Sequence, residues 1–151
     1  MDTTDLILAS LHHLLILMNA GVFIAEAFLV RPGLTGNNLA LVGRLDSMYG
    51  GIAGAVVLVG IGRVIFGLKG WEYYVAIWPF WAKMAAFLAM GLLSILPTRR
   101  ILAWRKAAAS DPSYVVPDDQ IAAARRFIRA EAICFALLPI FAAMMARGYG
   151  Y

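Results

Sequence analysis

The sequence predicts an all-α integral membrane protein: a four-transmembrane-helix bundle with a short interfacial amphipathic helix between spans three and four. Three observations predict it. The chain of 151 residues is 62% hydrophobic and only 15% charged, whereas a soluble domain carries about 25% charged residues. Its apolar residues gather into four stretches, three of them long enough for the about 20 residues that a bilayer crossing requires. Clusters of proline, glycine and charge separate these stretches, and no room is left for a soluble domain between them. The net charge of +4 is no nucleic-acid signal, because the basic residues sit beside the helix ends, where membrane topology accounts for them. Cys134 is the only cysteine, so an intrachain disulfide is excluded. The acidic start, MDTTD, lacks the basic region of a secretory signal, and the first span is expected to be retained.

The first span covers about residues 6–30 and stops where Arg31-Pro32-Gly33 brings a charge, a helix breaker and a turn residue. Asp5, His12, Asn19 and Glu26 are seven residues apart, and a step of seven returns to nearly the same helix face. One side of this span is therefore a polar ladder. A polar TGNN connection and Leu39 to Arg44 lead to the second span, about residues 45–68, which is rich in glycine. Gly50 and Gly54 form a small-xxx-small pair that would let another helix or a flat ligand come close. Lys69 to Glu72 read as a turn with aromatic anchors, joined by Tyr73 and Tyr74. The third span, about residues 75–96, has Pro79 in its first turns, Trp78, Trp81 and one charge, Lys83. Pro97-Thr98-Arg99-Arg100 is expected to end it. ILAWRKAAA, with Trp104, Arg105 and Lys106, then suits a helix lying among lipid headgroups. After a loop, Asp118 or Asp119 is expected to cap a last helix that begins polar and spans from about 130 to 146, with a kink at Pro139.

Lysine and arginine concentrate in the two connections after spans one and three, which places both termini outside the cytoplasm. Depth then follows from about 1.5 Å per residue. His12 and His13 lie about 9–11 Å down, Lys83 about 12 Å and Arg63 about 8 Å, all from one side. This layer contains no carboxylate within the spans. The other layer holds Glu26, Arg44, Asp46 and Glu131, and Glu26 and Asp46 are expected to pair with Arg44 or Arg129.

A basic layer without a counter-charge calls for an anionic or electron-rich partner, and haem b would supply one. His12 is the expected metal ligand, on the face of Asn19 and Glu26, with His13 as its rival. Arg63 and Lys83 would hold propionates or an anionic substrate. Lys83 and Glu26 are the candidate catalytic groups, Glu26 as a proton carrier. The second axial ligand would be Lys83, Met84, Met144, water or none. The bland alternatives are hydrogen-bonded histidines, an Arg63 or Lys83 that snorkels to the surface, and acids that only hold the first two helices together.

Taken in order, LHHL in the first helix, Glu26 followed by LVRPGL, RLDSMYG, FWAK, LPTRR and MARG resemble a bacterial membrane family, domain of unknown function 2214. The resemblance covers nearly the whole chain and implies the four-helix architecture in a bacterial inner membrane. More remotely the layout is similar to HemJ-type protoporphyrinogen oxidases, in which helix one carries a haem-ligating histidine and helix three an essential lysine. That resemblance implies the same roles for His12 (or His13) and Lys83, although the lysine motif here reads FWAK where that family has a tryptophan–leucine–histidine–lysine-like run. Two function classes result. One is a small haem b protein with a redox role toward a porphyrin or quinone substrate. The other is a cofactor-free proton or ion path, or a structural accessory subunit. The expected partners are the lipid bilayer, a quinone or porphyrin, and further copies or a larger membrane complex, with no nucleic acid.

Overall fold

A helix that is apolar along nearly its whole length has no breaker to stop it, and the first two spans run until one appears. The computed structural model describes residues 3–150. Helix α1 covers Thr3–Leu29. Its last turn closes with the Val30 amide donating to the Glu26 carbonyl, after which Pro32 and Gly33, the latter at φ +82°, turn the chain. Helix α2 covers Gly36–Phe66, α3 covers Gly70–Ala76, α4 covers Trp78–Ser110 and α5 covers Asp118–Ala146. Four of the five, all but α3, are long and apolar enough to cross a membrane. Among the described residues there is no strand; Thr35 and Val115 form an isolated bridge.

The bundle is two helical hairpins, α1 with α2 and α4 with α5, joined where α2 packs on α4 and where Phe23 of α1 stacks on Phe135 of α5 at 5.7 Å. The best-buried core lies at one end. Val30, Leu39, Val42, Ile101, Trp104, Val116, Ile121 and Ala124 meet there beneath the two connecting loops. The loops are tied to each other: the Val116 amide donates to the Leu34 carbonyl at 3.0 Å, and the Thr35 hydroxyl donates to the Tyr114 carbonyl at 2.5 Å. Outward-facing leucine, isoleucine and phenylalanine side chains cover the helices elsewhere, as contact with lipid tails requires.

Several local expectations are corrected. Pro97 does not end the third span; α4 passes through it to Ser110. The stretch expected as a separate interfacial helix is therefore the last third of α4. Its Trp104, expected among headgroups, is 1% exposed and donates its indole N–H to the Gln120 side chain at 2.7 Å. Packing explains the difference. Pro97, Ile101 and Trp104 lie four and three residues apart and are all buried, so the core extends the apolar stripe past the proline. The expected turn at Lys69 to Glu72 leads directly into α3. Neither Asp118 nor Asp119 caps α5; Pro117 holds that position and both acids lie in the first turn, where they favour the positive end of the helix dipole.

Candidate functional site

The polar ladder on α1 faces inward. The buried residues of that helix are His12, Asn19, Phe23 and Glu26, so the seven-residue step places three polar side chains on the one face that packs against the bundle. His13 turns outward, and its Nδ1 bonds the Ala9 carbonyl at 2.7 Å. His12 is thus the inward histidine. Each rung of the ladder carries a buried polar atom with no hydrogen-bond partner: His12 Nδ1, Asn19 Oδ1 and Glu26 Oε2. Orphaned polar atoms are rare in folded proteins, because each one left dry costs about 1–3 kcal/mol.

At the His12 end, three helices bring positive groups together. The charges that act on His12 are Lys83 of α4, Arg63 of α2 and its neighbour His13. Arg63 Nε is also buried without a partner. The imidazole lies against α2, with one ring N–H directed at the Val56 backbone and its Cε1 beside Gly60. Val56 and Gly60 are one turn apart, so α2 grips the ring by its carbonyl and by a missing side chain. The expected glycine pair does not play this part. A side chain added at Gly50 or Gly54 would meet nothing within 4 Å, so Gly60 and Gly62, which face His12 and Leu8, are the glycines that let α1 approach.

At the Glu26 end the groups are acidic. Glu26 of α1, Asp46 of α2 and Glu131 of α5 are 5%, 8% and 2% exposed and within electrostatic range of one another. The Tyr49 hydroxyl donates to Glu131 Oε1 at 3.4 Å, and the Thr98 hydroxyl donates to Asp46 Oδ1 at 2.7 Å. The expected pairing with Arg44 or Arg129 is corrected: both arginines are exposed. Among the described residues no ion pair reaches these three acids; the cation whose charge acts on Asp46 is Arg105, whose side chain lies over Gly43. A basic residue assigned to the headgroup layer thus reaches the bundle because α4 is continuous. Tyr49 and Thr98 escaped the sequence reading. Tyr49 stands three residues after Asp46, on its helix face, and that spacing was the available signal.

The family described as Predicted membrane protein (DUF2214) matches residues 4–150. The chain belongs to that family. No curated protein and no solved structure matches it. The DUF2214 chain so described has a basic cluster, an acidic cluster and a polar face between them.

Haem ligation would need an imidazole nitrogen open to the iron. In His12 one nitrogen is directed at the Val56 backbone, and Nδ1 is shut away from the surface. The nitrogen left for a ligand is the buried, unpartnered Nδ1.

Proposed function

We propose that this protein passes protons through the membrane along the inward face of α1. The observation that carries the reading is the row of buried, unpartnered polar atoms at His12, Asn19 and Glu26. Imidazole and carboxyl groups both take and release protons, and ionisable residues inside spans are the usual parts of proton relays. Asn19 does not relay; its amide is suited to orienting water. Successive rungs are about 10 Å apart along the helix axis, too far for direct transfer, so water must bridge them. Each rung offers one unpartnered polar atom to such a water.

In this reading the cluster of Glu26, Asp46 and Glu131 is the proton store at one end, with Tyr49 and Thr98 bonded to Glu131 and Asp46. At the other end, Lys83 and Arg63 lie near His12 and draw an anionic partner toward it. The arginines near Glu26, at residues 31, 44, 99 and 100 among others, support a cytoplasmic position for that end, by the positive-inside rule, in a bacterial inner membrane.

The test is proton uptake into vesicles that contain the purified protein and a pH-sensitive dye, driven by a potassium diffusion potential. Uptake should exceed that of protein-free vesicles and fall by an order of magnitude in Glu26→Gln and in His12→Gln. Uptake equal to that of empty vesicles would overturn the proposal. The haem reading, with its redox role toward a quinone or porphyrin, rests on the orphaned Nδ1 of His12 beside two unneutralised cations. A visible spectrum of protein expressed with added haem tests it. A Soret band lost in His12→Ala would support it and displace the proton path at that end; colourless protein would sink it.

A further inference from the structure

Two concave grooves on the bundle each combine two arginines with apolar side chains. One, of about 450 Å³, is lined by Leu92, Ile95, Leu96, Arg99, Arg100 and Ala103 of α4. The other, of about 410 Å³, lies between α1 and α5 and is lined by Ala27, Phe28, Arg31 and Arg125. Both are at the Glu26 end of the bundle, since α1 ends there and Thr98 of α4 bonds Asp46 there. In each, two guanidinium groups stand beside apolar side chains, and among the described residues no carboxylate pairs with any of the four.

We propose that the α4 groove is a binding site for one anionic phospholipid, with the phosphate held by Arg99 and Arg100 and an acyl chain along Leu92, Ile95 and Leu96. The order of chemistry along α4 is the order along a phospholipid. Apolar side chains come first, over about one turn, and the cations follow at the next turn, toward the end of the span. Arginine suits a phosphate because its planar N–H fork meets two oxygens at once. The groove is on the outside of the bundle and apart from the α1 ladder, so it does not depend on the proton reading. The second groove repeats the design on other helices, with Arg125 oriented by its 2.9 Å bond to the Val30 carbonyl.

The test uses full-length protein in phosphatidylethanolamine vesicles doped with phosphatidylglycerol that carries a diazirine on its acyl chain. Matched phosphatidylcholine is the neutral comparison. After irradiation, label is mapped by peptide mass spectrometry. Phosphatidylglycerol should label the 92–103 segment well above phosphatidylcholine, and R99Q/R100Q should lower that labelling roughly 25-fold, at about fivefold per arginine near a membrane surface. Labelling at 27–31 should persist in the same variant, which shows that it is folded and inserted. R99K/R100K should keep most of the preference. Equal labelling by the two lipids, or labelling unchanged in R99Q/R100Q, would overturn the proposal. So would displacement of the label by millimolar glycerol phosphate, because the site would then bind free phosphate esters rather than lipid.

Discussion

Adding one methyl group at Gly60 tests whether α2 grips His12. An ideal Cβ at Gly60 would lie 3.2 Å from His12 Cε1, while carbon atoms rest at about 3.5–4.0 Å. The ring or the helix must therefore give by a few tenths of an ångström. The ring has little freedom to do so, since its N–H is directed at the Val56 backbone on the same helix face. Overpacking of this kind costs about 1–3 kcal/mol. Replacing a helical glycine by alanine returns about 0.5–1 kcal/mol, and this second effect cancels when glycines of the same helix are compared. Gly50 and Gly54 are the controls, because a Cβ there meets nothing within 4 Å. Gly60→Ala should thus be less stable than Gly54→Ala by about 1–3 kcal/mol, with Gly54→Ala itself slightly more stable than the parent. The assay is reversible unfolding by sodium dodecyl sulfate in mixed micelles, followed by far-UV circular dichroism. If Gly60→Ala gains stability as Gly54→Ala does, the packing argument at His12 is wrong.

Three further outcomes follow from other contacts. Thr98→Val keeps the shape but removes the donor to Asp46 Oδ1 at 2.7 Å; the same unfolding assay should show a loss of about 1–3 kcal/mol, largely restored in Thr98→Ser. Trp104→Phe leaves the Gln120 side chain without its 2.7 Å partner and should cost about 1 kcal/mol, whereas a headgroup-lying Trp104 would tolerate the change. In the loop after α4, hydrogen bonds from the Ser113 side chain and backbone hold the exposed Asp111 carboxyl below its ordinary value of 3.8. A lowered carboxylate stabilises its turn fully above the unfolded value and ceases to do so as pH falls through the folded one. The protection of the Ser113 amide, its exchange rate relative to the intrinsic rate at each pH, should therefore hold at pH values above 3.8 and fall below it, and Asp111→Asn should remove that change.

The inward choice of His12 over His13 was legible because heptad spacing needs only one helix to be read. Asp5, His12, Asn19 and Glu26 share a face whatever surrounds them, and the two end residues of the buried part, His12 and Glu26, are where the candidate site has its two clusters. The approach of Lys83 and Arg63 to His12 was legible as common depth, because rise per residue converts position into height. What surrounds Glu26 was not legible. Depth alone admits Arg44 and Arg129 as partners, but depth says nothing of rotation about the helix axis, and both residues face out. Arg105 was missed for a different reason. Local rules make Pro97 a helix end, and only the burial of Ile101 and Trp104 against α5 carries α4 past it.

The sequence by itself determined that this chain lives in a membrane, how many helices can cross it, and which residues of α1 share a face, since apolar length and helical period are local properties. The tertiary structure alone decided that α4 is one helix, that Gly60 rather than Gly54 receives α1, and that Glu26, Asp46 and Glu131 meet without Arg44 or Arg129. Each of these depends on how one helix is rotated against another. That rotation is set by the sum of many side-chain contacts across the bundle, and no single stretch of sequence contains it.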